Sequence, residues 1–123
     1  HWGEVSEVYA RHPALVGGLP VRFEVWVTDL RTFAPLASGE ILLEFEAPGG
    51  ATTALRGWSP SPPGMFHVDG ELPAAGGYRW RLTVAASGLR ERHELGEVTV
   101  YRDAGAAAND SAMLHNFTPC ARA

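Results

Sequence analysis

The sequence predicts an all-β protein: an immunoglobulin-like antiparallel β-sandwich of about seven strands, followed by a short helical or disordered C-terminal tail. Three observations predict this class. Apolar and polar residues alternate with a period of two along most of the chain, and clusters of Gly, Pro and Ala interrupt the alternation at intervals typical of short strands. No long stretch has the spacing of an amphipathic helix. The chain has one cysteine, so the Cys–Trp–Cys signature of true immunoglobulin domains is missing and the likeness is one of architecture.

The first two predicted strands come before the first long loop. EVSEVYA forms the first and ends before Pro13. LPVRFEVWVTDL, residues 19–30, forms the second, with Phe23 and Val25 on its apolar face. Trp26 lies on the opposite, polar face of this strand. A large indole in that position needs either a cover from its own chain or a partner.

Five further strands follow, separated by turn residues. GEILLEFEA, ATTALRGW, MFHVDGEL and YRWRLTV are bounded by APGG, SPSPPG and AAGG, which are typical of turns and loops. The last segment, RERHELGEVTVY, contains Gly96, which predicts a β-bulge or a kink between two short strands. The strands make up a domain over residues 1–102, and residues 103–123 form a tail with one short helix around Ala106 to Leu114.

The alternation also predicts which side chains form the core. Eight residues on the apolar faces of these strands are expected to be buried: Phe23, Val25, Ile41, Leu43, Phe45, Trp80, Leu82 and Val98.

Composition excludes two classes of partner. The formal net charge is −4, and the ten basic residues, all arginine, are dispersed, so no nucleic-acid-binding stripe is predicted. No apolar run approaches the roughly 18 residues of a transmembrane helix, and no basic segment followed by an apolar stretch predicts a signal peptide within these residues.

No catalytic motif is present. The sequence has no Gly-x-Ser-x-Gly elbow, no His-Glu-x-x-His and no phosphate-binding glycine loop. Cys120 lies in the predicted tail, where no base would be held against it. We therefore expect a non-catalytic protein with no catalytic residues.

A metal site is the best chemical hypothesis from the residues. Met65 and His67 point to the same side of one predicted strand, and His93 is a third candidate. Thioether and imidazole ligands suit Cu(I) or Ag(I), and imidazole also suits Zn(II). No cofactor is required by the sequence, however, and isolated histidines in β proteins usually form local hydrogen bonds or face solvent.

A contact surface around Trp26 is the other hypothesis. Arg22 and Glu24 share its face, and Trp58 also departs from the inward pattern. An aromatic residue surrounded by polar ones is typical of an interface, and a two-fold homodimer is the commonest assembly. Cys120 could link such a dimer by a disulfide. The alternative is that the loop RTFAPL or the N-terminal strand covers Trp26.

The order of several short motifs resembles a known family. The chain is similar, over residues 1–108, to the N-terminal domain of periplasmic adaptor (membrane fusion) subunits of heavy-metal-efflux RND transporters. The matching segments are His1-Trp2, Pro13 to Gly18, Phe23, Thr28-x-Leu30, Phe33 to Gly39, Pro63-Gly64-Met65-Phe66, Gly77-Tyr78 and His93 to Tyr101. The resemblance implies a β-sandwich module that acts through protein contacts in the periplasm, with an efflux-system protein or a second copy as partner.

Two departures from the family pattern bear on function. The family commonly has a histidine where this chain has Trp26, which favours a hydrophobic contact at that position. The adaptors continue into a barrel, a lipoyl-like domain and a helical hairpin, which residues 109–123 do not resemble. The competing hypothesis is a free-standing metal- or small-molecule-binding sandwich.

Overall fold

The computed structural model describes residues 2–58, 62–86 and 88–111, where nine β-strands and one α-helix follow one another. The strands are β1 (Ser6–Arg11), β2 (Leu15–Val16), β3 (Val21–Asp29), β4 (Ala34–Pro35), β5 (Glu40–Glu46), β6 (Thr52–Trp58), β7 (Met65–Gly70), β8 (Gly76–Ala86) and β9 (Leu89–Tyr101), and the helix is α1 (Ala104–Ser111). The predicted all-β sandwich with a short C-terminal helix is confirmed, and each of the seven predicted strands forms. The two further strands, β2 and β4, have two residues each, too few for an alternating pattern to reveal them. Cys120 lies outside the described residues.

The strands form two sheets. In the first sheet, β1 and β7 lie on either side of β3 and are antiparallel to it, and β4 pairs with the last residues of β3. In the second sheet the order is β2-β9-β8-β5-β6. The two-residue strand β2 pairs with β9 in parallel, while the longer strands pair antiparallel as predicted. The chain crosses from the first sheet to the second between β1 and β2, next to Pro13.

The core lies between the sheets, and all eight residues predicted to be buried are buried. At its centre, the ring centroids of Phe23 and Phe45 are 5.4 Å apart, and Trp80 stacks on Phe45 at 5.4 Å. His12 closes one end of this cluster, with its ring 5.4 Å from Phe23 and edge-on to Trp80 at 5.6 Å. Burial of these aromatic rings is the main stabilising contribution, since each removes a large apolar area from water.

Gly96 forms the predicted bulge. Trp80 pairs with Gly96 while the next residue, Arg81, pairs with Glu94, so Leu95 is one extra residue in β9. Gly96 has a φ of 90°, a left-handed conformation that favours glycine. The strand β9 is continuous through the bulge and is 13 residues long in all, so the expectation of two separate short strands is wrong.

The helix α1 follows β9 directly. It begins at Ala104, two residues earlier than predicted, because Asp103 caps it by accepting a hydrogen bond from the N–H of Ala106 at 2.8 Å. Ala107 is buried. Within the described ranges, no helix has the length and apolarity needed to cross a bilayer.

Candidate contact face on the first sheet

The first sheet has an outer face that other described elements leave open. Along β3 the odd-numbered residues are buried and the even-numbered ones point outward, and β1 and β7 follow the matching alternation in register. We call the outward side chains of these three strands the Trp26 face: Glu7, Tyr9, Arg11, Arg22, Glu24, Trp26, Thr28, Met65, His67 and Asp69.

An aromatic and thioether row crosses the middle of the Trp26 face. The register places Tyr9 on one side of Trp26 and Met65 on the other. The rings of Tyr9 and Trp26 are 5.5 Å apart and tilted by 43°, and the guanidinium carbon of Arg11 lies 5.4 Å from the centre of the Trp26 ring. Neighbours on the same sheet therefore cover Trp26 in part, while Tyr9 remains 42% exposed.

The partial cover of Trp26 comes from the N-terminal strand, which is one of the alternatives that the sequence left open. Tyr9 and Arg11 both belong to β1, and both are exposed. The row of side chains is thus stabilised within the chain and still accessible from outside.

Two ion pairs lie on one side of this row, toward the start of β3. Arg11 donates to Glu24 through Nε at 3.1 Å and through an Nη at 2.6 Å, and Arg22 forms a two-pronged pair with Asp69 at 2.7 and 3.0 Å. The hydrogen bonds from Arg22 hold the pKa of Asp69 below its usual range. Since Arg22 and Asp69 are well solvated, their pair fixes side-chain geometry and adds little to stability.

The structure brings together most of the predicted site residues. Met65 and His67, proposed as metal ligands, lie on the same face as Trp26, Arg22 and Glu24. Trp58 does not join them: it pairs with Glu40 and points outward from the second sheet, on the other side of the sandwich.

His93 is separated from Met65 and His67. It lies on β9 between the sheets with a fully buried side chain, and its Nε2 is 2.8 Å from the hydroxyl of Ser6. The three metal candidates therefore do not form one site. Among the described residues, no group of three or more His, Cys, Asp or Glu side chains could hold a metal ion.

His67 has one feature that bears on ligand binding. Its Nδ1 atom is buried and has no hydrogen-bond partner within the part of the chain that the structure describes. It faces Glu24 across the strands, and Met65 lies two residues before it on the same side. Imidazole and thioether together could bind a two-coordinate soft ion. The carboxylate of Glu24 is already paired with Arg11, so it is not free to serve as a third ligand.

A second polar cluster, which the sequence did not predict, joins the two sheets. The carboxylate of Glu91 on β9 accepts hydrogen bonds from the N–H of Glu4 at 2.6 Å, the N–H of Ser6 at 2.9 Å and the hydroxyl of Ser6 at 2.6 Å. The N–H of Val5 also donates to it, at 3.3 Å. The segment before β1 therefore wraps around one carboxylate, and we call this arrangement the Glu91 clamp.

Gly3 is required for this close approach. A Cβ at position 3 would collide with the Glu91 carboxylate. No sequence pattern predicts the clamp. The roles of Gly3 and Ser6 depend on β9 lying beside them, and β9 is more than 80 residues away in sequence.

Ser6, His93 and Glu91 have the residue types of a hydrolytic triad but not its geometry. In a triad, histidine bridges serine and carboxylate through its two ring nitrogens. Here both partners approach the same nitrogen: Nε2 of His93 is 2.8 Å from the Ser6 hydroxyl and 3.4 Å from Glu91. Ser6 and His93 are fully buried, so the hydroxyl is not presented to a substrate. The cluster anchors the N-terminal segment.

Burial and hydrogen bonding shift the protonation of this cluster. Burial lowers the pKa of His93 below its ordinary value, and the nearby Glu91 carboxylate opposes that shift only in part. Burial alone would raise the pKa of Glu91, but hydrogen bonds from Ser6 and from the backbone of Glu4 outweigh it, so this pKa is lowered. The clamp therefore holds a carboxylate beside a neutral imidazole. Because the Ser6 hydroxyl donates to Glu91, Nε2 of His93 is the nitrogen that carries the proton.

A shallow groove borders the Trp26 face. It has a volume of about 380 Å³ and is lined by Arg11, His12, Pro13, Arg22 and Glu24. Its arginines and its glutamate are already engaged in the ion pairs described above, so the groove offers no uncompensated charge to a small ligand.

Sequence reasoning missed Tyr9, Arg11 and Asp69 as members of the contact face. The alternation of EVYAR and MFHVD places all three on outward positions, but alternation cannot show that β1 and β7 flank β3. The register between strands supplies that information.

A scan against protein-family models gives no match to this chain, and a search of curated proteins gives none.

Proposed function

We propose that this chain is a non-catalytic β-sandwich module that acts through protein contacts made by the Trp26 face. The observation that carries the proposal is the row of Tyr9, Trp26 and Met65 on an open sheet face, with two ion pairs on one side of it and the polar side chains of Glu7 and Thr28 on the other. Aromatic and methionine side chains are enriched at interfaces, and the most effective ones lie at the centre of a polar rim.

The charges around the row favour a protein partner over a small charged ligand. Arg11 is neutralised by Glu24, and Arg22 by Asp69, so the face has little net field at its centre. Such a surface gains free energy from burying apolar area and orients its partner through the polar rim.

The resemblance to efflux adaptors suggests where this module acts and what it contacts. The residues that carry it are consistent with a periplasmic module whose partner is an efflux-system protein or a second copy of the chain. In that family a histidine commonly stands where Trp26 stands, and an indole with a cation over its ring is better suited to a dry contact than to a metal.

A photo-crosslinking experiment in the cells that produce the protein tests this function. A benzophenone amino acid replaces Tyr9 on the Trp26 face or, as a control, Trp58 on the outer face of the other sheet. Both are exposed aromatic residues, at 42% and 60%, so the substitutions are matched. We expect a discrete crosslinked protein from position 9 that is lost when Trp26→Ser is added, and none from position 58. Equal crosslinking from both positions, or none from position 9, would show that the face is not a contact surface.

Soft-metal binding is the second candidate, favoured by the partnerless Nδ1 of His67 next to Met65. Calorimetric titration with Ag(I), Cu(I) and Zn(II) tests it. Micromolar or tighter binding that both Met65→Ala and His67→Ala abolish, while His12→Ala does not, would establish the site. Absence of heat for all three ions would exclude it.

A further inference from the structure

Two charges of opposite sign flank the central row of the Trp26 face. Glu7 comes two residues before Tyr9 on β1 and Arg11 two residues after it, and all three side chains point outward. At about 3.3 Å per residue, each charge lies roughly 7 Å from the row, on opposite sides of it. The row therefore separates Glu7, which forms no ion pair among the described residues, from the Arg11–Glu24 pair on its other side.

A two-fold axis along this row makes the face complementary to itself. Rotating a second copy about that axis lays its Tyr9, Trp26 and Met65 over the same row of the first copy. The same rotation brings Glu7 of one copy opposite Arg11 of the other, and does so twice because the interface is isologous. Sheets that pack face to face are about 10 Å apart and rotated by about 30°, which lets opposing rings tilt past one another and leaves charged side chains within reach.

We infer that the occupant of the Trp26 face is a second copy of this chain, paired through reciprocal Glu7–Arg11 contacts; this rests on the proposed contact function. The charge pattern supports it. Arg22 and Asp69 neutralise each other within one chain, and Glu24 is paired with Arg11. Glu7 forms no ion pair among the described residues, so it is the one carboxylate of the face whose partner the second copy supplies. Arg11 can bridge Glu24 and the second Glu7, since a guanidinium has five donors.

The area of the face sets the strength of the dimer. With the axis at Trp26, the two copies overlap along seven residues of β3, so three strands about 4.8 Å apart give a footprint of about 14 by 23 Å, or about 650 Å² for both copies together. This is below the roughly 1,200 Å² of stable interfaces, so the dimer is weak and exchanges readily. A dissociation constant of about 1 mM corresponds to about 4 kcal/mol of binding free energy, so detection requires protein concentrations up to about 1 mM.

Charge reversal with complementation is the test, by sedimentation equilibrium under reducing conditions. The wild-type chain, Glu7→Arg, Arg11→Glu and an equal mixture of the two variants are compared. In each variant alone, two attractive pairs become two repulsive ones, so we expect the association constant to fall by about tenfold or more.

The mixture restores attraction at both contacts of a mixed dimer. At one contact the arginine introduced at position 7 meets the glutamate introduced at position 11. At the other, the unchanged Arg11 of the first variant meets the unchanged Glu7 of the second. Association in the mixture should therefore return to within about threefold of the wild type.

Matched controls distinguish the loss of a specific contact from a general effect of charge or of unfolding. Arg56→Glu and Glu97→Arg make the same charge changes on exposed positions of the second sheet and should associate like the wild type. Circular dichroism checks the fold of each variant. If a reversal unfolds the chain, Glu7→Gln and Arg11→Gln replace it, and each should weaken association severalfold while Arg56→Gln does not.

The outcomes separate this inference from the function on which it rests. A wild-type chain that stays monomeric at about 1 mM, or a mixture that associates no better than its components, overturns the second copy as occupant. If the probe at position 9 still crosslinks a different protein, the contact function stands. If that probe also fails, both are wrong.

Discussion

The Glu91 clamp gives the sharpest prediction of stability, through Glu91→Gln. The carboxylate accepts four hydrogen bonds from the backbone and hydroxyl of the segment around the start of β1, and its side chain is only 15% exposed. Hydrogen bonds to a charged acceptor contribute about 1.5–3 kcal/mol each, but the glutamine oxygen retains some of them and its amide group faces N–H donors. We therefore expect a loss of about 2–4 kcal/mol in the free energy of unfolding, which shifts a urea midpoint by about 1–2 M.

The matched control for this measurement is Glu94→Gln. Glu94 is on the same strand but largely exposed, and among the described residues its ion pair is with Arg92, so its substitution should stay within about 0.5 kcal/mol. Gly3→Ala perturbs the same clamp from the other side, because its Cβ would displace the carboxylate. The double variant that combines Glu91→Gln with Gly3→Ala should therefore lose clearly less free energy of unfolding than the sum of the losses in the two single variants. A midpoint for Glu91→Gln equal to that of Glu94→Gln would refute the clamp as an anchor.

Two further predictions concern acid and the core. His93 and His12 have lowered pKa values, chiefly through burial, so their stabilising contribution is complete above their ordinary value of 6.5 and is lost as the pH falls below it. The lowered pKa of Glu91 adds a loss below its ordinary value of 4.5. Urea midpoints should fall from about pH 7.5 to about pH 5.5 and further by about pH 4, and a flat profile would contradict these shifts. In the core, Phe45→Ala should cost about 3–5 kcal/mol in a denaturant melt, whereas Phe33→Ala, 80% exposed, should be near neutral. Similar costs for the two would show that the packing is assigned wrongly.

Alternation within single strands predicts most of the fold. The inward positions of β3, β5 and β8 follow directly from it, and Phe23, Phe45 and Trp80 meet in the core as expected. These features could be predicted because each depends on a period of two within one strand.

The parts that could not be predicted depend on contacts between segments distant in sequence. Nothing in β1 shows that Tyr9 lies beside Trp26, since this follows from the register of two strands. The burial of His93 on an inward position of β9 was open to prediction, but its partner Ser6 is 87 residues away. For the same reason the sequence places Met65 and His67 on one side of a strand, but it does not show that His93 lies buried on the other sheet, away from both.

Oxidative footprinting tests the central claim, that the Trp26 face is a contact surface, most directly. Hydroxyl radicals modify exposed aromatic and methionine side chains, so oxidation of Tyr9 and Met65 is measured in dilute purified protein, in purified protein at about 1 mM and in the cells that produce it. Trp58, on the other side of the sandwich and 60% exposed, is the internal reference. We predict that the oxidation of Tyr9 and Met65 relative to Trp58 is lower in the concentrated protein and in the cells than in the dilute protein. The same ratio in all three settings would contradict the account.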